Sequence, residues 1–393
     1  MESSVKMFFC IRDGLQIRGA QYVPEGFSEK EKYPVIIISH GFNGNYTETR
    51  NVCNRFTKLG YVAIGYSFCG GSANGTSAEL ISDGNTTDMT IESEVQDLIT
   101  VKNYVKTLPY IDTDKIVLLG FSQGGFVSGL AAARCGSEIY KLIMVYPALC
   151  IPDHSRMGCL GGASYDPQNV PDVICTPFMK LGKCFSDGVV NLDPYLELTK
   201  YKGPVLILQG LQDNVVNYSY AIRAKESYAP GQAQLLLIRD TGHGFNESQE
   251  DSAVCAMKQF LNDRKEIFSI RIMVTHVETE VVQDGNLTIN KVYFTGFCES
   301  PAFTATIMSE GCDTQEYANG KPPKLHAVYT LEGIDRKGAK CYMNVDNQSN
   351  GEDWKPVVET NCEELLWMNT ADLTAVLEFS GGGPTVRIFA YPQ

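Results

Sequence analysis

The chain is 393 residues long, 44% hydrophobic and 20% charged, with a formal net charge of -13. That length exceeds what one hydrophobic core usually serves, and that composition excludes wholesale disorder. The acidic balance excludes nucleic acid or an anionic membrane as an expected partner, because both require a basic footprint.

The first residues, Met1–Lys6, show no basic region leading into an apolar run, and no uninterrupted apolar stretch reaches membrane-spanning length. The expectation is a soluble, cytoplasmic protein. Thirteen cysteines, scattered from Cys10 to Cys362 without a Cys-x-x-Cys pair, point to buried thiols rather than a disulfide framework.

A hairpin is expected first, with strand-like Val5–Phe9 and Leu15–Arg18 joined through Asp13-Gly14. Pro34 then introduces Val35–Ile38, a short continuous apolar run typical of a parallel strand covered on both faces. Similar runs follow at Tyr61–Ile64, Lys115–Leu119, Lys141–Val145, Pro204–Leu208 and Gln234–Ile238. Between them lie helical patterns, clearest at Val95, Leu98, Val101, Val105 and Leu108, whose spacing puts all five on one face. Alternating strand and helix predicts a doubly wound, mostly parallel α/β sheet.

The stretch Pro147–Tyr201 interrupts this rhythm with Pro and Gly residues and no long periodic segment, and reads as a lid or substrate-binding cap. After the amphipathic stretch Val254–Asn262 the period changes to two. Strand-like segments appear at Ser269–Val274, Leu287–Ile289, Lys291–Phe294, His326–Tyr329, Leu373–Leu377 and Val386–Phe389, with turn signals at Asp284-Gly285-Asn286 and Gly381-Gly382-Gly383. This predicts a second, antiparallel all-β domain, sandwich or barrel, beginning near Arg264, so that residues 1–264 and 265–393 form the two domains.

Gly120-Phe121-Ser122-Gln123-Gly124 is a Gly-x-Ser-x-Gly pentapeptide. Such a match carries little alone. Here it follows the strand Ile116–Leu119 and precedes a helix-like stretch with Phe126, Val127, Leu130 and Ala131, the strand–turn–helix setting that lifts a serine hydroxyl above a sheet. A serine needs a base, and the base needs an orienting acid, each beyond a later strand. Asp213 follows the strand ending at Leu208 and His243 follows the strand ending at Ile238, with Asp240 as a weaker candidate for the acid.

The oxyanion donors expected are the amide of Gln123 and that of Phe42 in the loop His40-Gly41-Phe42-Asn43-Gly44. His40 itself reads as a structural hydrogen-bonding residue. The Gly-rich Gly70–Gly75 lacks a dinucleotide fingerprint and reads as a loop bordering the site. The five histidines form no zinc-ligand spacing, so neither metal nor other cofactor is expected.

With these residues in place, the first 263 residues resemble the bacterial feruloyl and cinnamoyl esterases. Further likeness lies in Asp88–Glu92, Tyr104–Pro109, the Gly-x-Ser-Gln-Gly-Gly elbow, Tyr165-Asp166-Pro167 and Val170-Pro171-Asp172. The resemblance implies an α/β-hydrolase fold whose lid holds an aromatic acyl group and hydrogen-bonds its phenolic hydroxyl. It places His154, Gly161 and Tyr165 as lid residues toward substrate, with His154 and Gly161 standing where family members carry an acidic residue and an amide. From about residue 268 the chain resembles a small bacterial β-barrel family of unknown function, DUF3237, through Phe294-Thr295-Gly296, Gly311–Gln315 and Leu325–Leu331.

The expectation is therefore a serine esterase acting through an acyl-enzyme on hydroxycinnamate esters. A short-chain esterase, peptidase or lactonase of the same fold is the alternative, and a non-catalytic ligand-binding or sensor protein is another. For the β domain, carbohydrate binding, formation of a homodimer and covering of the active-site mouth all stay open.

Overall fold

The apolar runs fall in the middle of one eight-stranded sheet. The computed structural model describes residues 5–72, 76–262, 265–282, 287–318, 323–349, 354–380 and 383–390. It divides into two compact units, Met1–Leu261 and Asn262–Gln393. Arg264, where the change of pattern suggests the boundary, lies outside the described residues, as do the predicted turn 284–286 and residues 381 and 382 of the later glycine turn.

In the first unit the elements run β1 (Val5–Arg12), β2 (Leu15–Tyr22), β3 (Tyr33–Ser39), α1 (Arg50–Thr57), β4 (Val62–Tyr66), α2 (Ile91–Lys106), β5 (Ile111–Phe121), α3 (Gln123–Cys135) and β6 (Lys141–Val145). The lid follows with α4 (Ile151–Met157), β7 (Val173–Cys175), β8 (Lys180–Gly182), α5 (Lys183–Val189) and α6 (Pro194–Leu198). The unit closes with β9 (Val205–Gly210), α7 (Ser219–Ser227), β10 (Ala233–Ile238) and α8 (Glu247–Leu261).

The strand order is β1-β2-β4-β3-β5-β6-β9-β10, with β1 and β2 antiparallel and the remaining six parallel. The hairpin turns where Asp13 and Gly14 both take positive φ, 50° and 84°, matching the twist that a two-residue hairpin requires. Alternate residues of β3 feed opposite faces. Val35 and Ile37 pack with α2 and α3, whereas Ile36 and Ile38 pack with α1 and α8. That two-sided burial is why these strands read as continuous apolar runs instead of alternating ones.

One helix reading needs correction here. Helix α2 starts at a Thr90–Ser93 capping box and ends at its cap Thr107, so Leu108 packs on the same core from beyond the helix. The lid is ordered, with three short helices and a two-stranded ribbon, because its apolar residues Ile174, Leu181, Phe185 and Val189 make a buried cluster without long periodicity.

The second unit is a closed antiparallel barrel. Its strands are β11 (Lys265–Val282), β12 (Leu287–Glu299), β13 (Phe303–Ile307), β14 (Gly311–Ala318), β15 (Lys324–Asp335), β16 (Lys340–Ser349), β17 (Trp354–Thr360), β18 (Leu373–Ser380) and β19 (Gly383–Ala390). Eight staves close the ring through the β11–β12 and β11–β19 pairings. One stave is split: β13 pairs one part of β12 and β15, and β14 pairs another.

The two segments read as separate strands at 287–289 and 291–294 are one strand, β12, with Asn290 paired to both neighbours. Strands β13, β14, β16 and β17 escaped the sequence reading. All thirteen cysteines are unpaired, but only six are buried; Cys175, Cys184 and Cys255 are exposed, so the expectation of buried thiols holds only in part. Among the described residues no helix is long and apolar enough to cross a membrane.

Candidate active site

Strand β5 ends at Phe121 and α3 begins at Gln123, which leaves Ser122 alone in the turn with φ 52° and ψ -118°. Such backbone costs a non-glycine residue about 1–3 kcal/mol and persists only where its surroundings hold it. Here the Ser122 amide donates to Val145 O at 2.9 Å, while its carbonyl accepts from the amides of Gly125, Phe126 and Ala148 at 3.0, 3.2 and 2.9 Å. A Cβ at Gly120 would stand 2.0 Å from Gly124 O, and one at Gly124 would stand 2.3 Å from His40 O. Both glycines of the pentapeptide are therefore sterically required.

Three side chains meet at this elbow. His243 Nε2 lies 3.0 Å from Ser122 Oγ, and His243 Nδ1 lies 2.8 Å from Asp213 Oδ2. The Asp213 side chain is fully buried and that of His243 is 22% exposed. Asp213 Oδ1 accepts from the amides of Val215 and Val216, and Oδ2 also accepts from Gln209 Nε2 at 2.9 Å. Burial alone would raise this carboxyl, but the hydrogen bonds from His243, Val216 and Val215 outweigh it and hold Asp213 below its ordinary value. An ionised Asp213 accepts the Nδ1 proton, which leaves Nε2 free to accept from the Ser122 hydroxyl. Asp240 is exposed and bonded by Gln212 Nε2 at 3.1 Å; the imidazole contacts Asp213 instead.

The Tyr146 ring lies 4.7 Å from the His243 ring and 5.1 Å from that of Phe245, walling one side of the imidazole. Tyr146 itself has a positive φ of 36°. Its place directly after β6 was the signal that sequence reading passed over.

Among the described residues neither the Phe42 nor the Gln123 amide finds an acceptor in the chain. The Gln123 amide is one of the unfilled N–H groups at the start of α3. Gly41 carries the loop past Ser122, with room for a Cβ only 3.5 Å from Ser122 Cβ. His40 fixes that loop: its Nδ1 donates to Gly41 O at 2.7 Å and its Nε2 accepts from the Phe68 amide at 3.1 Å. Complete burial lowers its pKa to about 4, so this imidazole stays neutral. The loop is pinned again where Ser72 Oγ donates to Gly44 O at 2.6 Å and Asn43 bridges Ser72. Residues 73–75 of the Gly-rich segment lie outside the described residues.

Behind the elbow, Gln123 Nε2 donates to both oxygens of Glu94, at 2.9 and 2.8 Å. Glu94 is 1% exposed, and its burial raises its pKa well above the ordinary range despite the pull of Gln123. Asp97, one turn on, accepts from Arg12 Nε at 2.5 Å and from the Cys69 amide at 2.8 Å. Both carboxyls sit beside Val95, Leu98 and Val101 on the buried face of α2. A Glu and an Asp inside an apolar stripe was the available signal for them.

The lid residues fall into different surroundings. Gly161 has φ 55°, and a Cβ there would lie 3.6 Å from the Phe42 ring and 3.1 Å from Thr176 Cγ2, so the insertion runs close to the His40–Gly44 loop at this point. Phe178, which is 62% exposed and was not singled out by sequence, presents its ring edge-on to Phe42 at 6.3 Å. His154 is half-buried on α4, with its pKa lowered by that burial. The Tyr165 hydroxyl is directed at Ser155 O and Ser186 Oγ, 3.5 and 3.4 Å away in the lid's own interior.

A family model for the "Dienelactone hydrolase family" matches residues 19–273, well over half of the chain. Among solved structures, Est1E from Butyrivibrio proteoclasticus with ferulic acid bound is 28% identical with a TM-score of 0.58, covering 65% of this chain and 97% of that one. A Synechocystis sp. protein whose name assigns it provisionally as a carboxymethylenebutenolidase is 32% identical over 125 residues, 30% of this chain and 50% of its own. A "Probable dipeptidyl-aminopeptidase B" from Paracoccidioides lutzii is 25% identical over 146 residues, 36% of this chain and 16% of its own. The chain thus spans half or less of the length of these two curated relatives.

Proposed function

The chain belongs to the dienelactone hydrolase family, and from that premise we propose that it is a serine carboxylic-ester hydrolase working through an acyl-enzyme on hydroxycinnamate-type esters. The observation that carries this reading is the unbroken hydrogen-bonded line from Asp213 through His243 to Ser122 Oγ, with the two unfilled amides beside it.

In this reading Ser122 Oγ attacks the ester carbonyl carbon while its proton passes to His243 Nε2. The carbonyl oxygen becomes an oxyanion that the Phe42 and Gln123 amides meet, each contributing about 3–4 kcal/mol. The bond to the leaving alcohol breaks as His243 returns the proton to it. Water, losing a proton to the same nitrogen, then attacks the acyl carbon, and Ser122 leaves with that proton. Asp213 holds the imidazole in one tautomer throughout.

The hydroxycinnamate acyl group is supported by the likeness to Est1E, which binds ferulic acid, and by the aromatic pair Phe42 and Phe178 at the lid. Lactone cleavage by the same residues is the second reading, favoured by the family itself and by the Synechocystis relative. The same proposal places the chain in the cytoplasm, supported by its thirteen unpaired thiols, and takes the barrel as a DUF3237-like appendage.

The test compares turnover of methyl ferulate, a short-chain acyl ester, a lactone and an aminoacyl amide, alongside labelling of Ser122 by a fluorophosphonate. Preference for methyl ferulate is expected. Labelling with preference for the lactone would replace the substrate and keep the mechanism, whereas failure to label would leave a ligand-binding protein.

A further inference from the structure

The barrel holds a partly open cavity of about 120 Å³ whose walls are mainly apolar, with Ile272, Phe294 and Trp354 among them. Lining residues on a strand differ by two, as inward-facing positions must. Four polar side chains break this lining, Asp313, Gln315, Tyr329 and Asn347. Asp313, Ala327 and Asn347 are in register on the adjacent strands β14, β15 and β16, so their side chains point the same way. Tyr329 lies two residues along β15 from Ala327, on the same face, its ring edge-on to Phe294 at 5.5 Å. The small Ala327 leaves space between the carboxylate on one side and the amide on the other.

Among the described residues, Asp313 Oδ1, Tyr329 OH and Asn347 Oδ1 are all buried without a hydrogen-bond partner. Tyr329 and Asn347 are only 4% and 3% exposed. Gln315, on the same face of β14 and also in the lining, donates Nε2 to Asp313 Oδ2 at 2.7 Å, which leaves Oδ1 without a partner. Orphaned polar atoms are costly in a protein interior, and three lining one space call for a molecule that pairs with a donor and an acceptor among them.

We propose that the barrel cavity is a binding site for a single-ring phenol, whose hydroxyl donates to Asp313 Oδ1 or Asn347 Oδ1 and accepts from Tyr329 OH. The size suits one ring, since an apolar cavity of roughly 150 Å³ takes up benzene. The leftover groups decide against an unsubstituted hydrocarbon, which would leave all three unsatisfied. They also decide against a carboxylate, which would meet Asp313 at close range. Burial raises the Asp313 carboxyl above its ordinary value, with Gln315 pulling the other way, and a neutral ligand asks for no reversal of that. The site does not depend on the chemistry assigned to Ser122.

Calorimetric titration of the full chain with phenol, benzene and benzylammonium tests this. One-to-one binding of phenol is expected, at least about tenfold tighter than benzene. Emission from Trp354 should change on binding, read in a Trp367→Phe background since the chain has only two tryptophans. Asn347→Leu should weaken phenol about tenfold or more while holding or raising the thermal midpoint, because it removes an orphaned buried group. Tyr329→Phe, which deletes only a hydroxyl, should weaken phenol in the same direction should the leucine overpack. Ester turnover should stay at the wild-type level in both, and Ser122→Ala should bind phenol as the wild type does. Absence of phenol binding, equal binding of benzene, tighter binding of benzylammonium, or binding indifferent to both barrel variants would each overturn the proposal.

Discussion

The two units treat buried polar groups in opposite ways. At the elbow of the first, both oxygens of Asp213 are filled and the imidazole is tied at both nitrogens, while the amides of Phe42 and Gln123 find no acceptor and Asn43 Oδ1 and Gln209 Oε1 beside them find no donor. In the lining of the barrel cavity the groups left over are chiefly acceptors, Asp313 Oδ1 and Asn347 Oδ1, beside the hydroxyl of Tyr329. Leftover donors suit an oxygen that gains charge during a reaction; leftover acceptors suit a hydroxyl that stays as it is. On the proposed readings the contrast is between a site for a transient species and one for a resident.

The sharpest way to break that contrast is Ser122→Ala, expected to lower ester kcat by about 10⁴-fold or more while leaving the fold intact. A change smaller than tenfold in steady-state turnover would remove Ser122 from the reaction.

Glu94→Ala comes next. It frees the Gln123 side chain behind the oxyanion amide, and a loss of about 10²-fold in kcat with little change in KM is expected, because small misplacements are felt at this level. Glu94→Gln should recover most of it, as the pairing with Gln123 survives. Equal losses in both variants would mean that Glu94 acts through its charge.

The pH dependence of stability gives a subtler test, because the two carboxyls are shifted in opposite directions. The folded pKa of Asp213 is depressed, so its contribution is present above the ordinary carboxylate range and is lost as pH falls through the lowered value. The folded pKa of Glu94 is raised, so stability is lost as pH rises from about 4.3, where the unfolded chain ionises and the folded chain does not. Urea midpoints should show the Glu94→Gln variant gaining on the wild type as pH rises above about 4.3, and Asp213→Asn losing ground as pH rises through the range below it.

The smallest effect is expected from removing the barrel. Each unit has its own buried core, so residues 1–261 should fold alone and keep kcat/KM within about threefold. A folded but inactive fragment would show that the barrel shapes the ester site, and the two-site contrast would have to be redrawn.

Much of the first unit was legible because two-sided burial writes its strands as unbroken apolar runs, and because the positions of Ser122, Asp213 and His243 follow from where those strands end. Glu94 escaped because its partner, Gln123, is 29 residues away and only the fold brings them together. In the barrel, Phe303–Ile307 is five residues long and alternates buried with exposed, a pattern too brief to stand out. The three orphaned polar atoms could not be read at all, since Asp313 and Asn347 share a face only through the register of the strand between them.

The carbonyl of Ser122 accepts an amide from Ala148, at the very threshold of the lid. Anyone exchanging the insertion between β6 and β9 among relatives thus inherits a natural seam. A chimera cut after Ala148 carries the backbone posture of Ser122 over unchanged, whereas one cut after Val145 discards both the Tyr146 wall and one of the four backbone bonds that hold Ser122 in place.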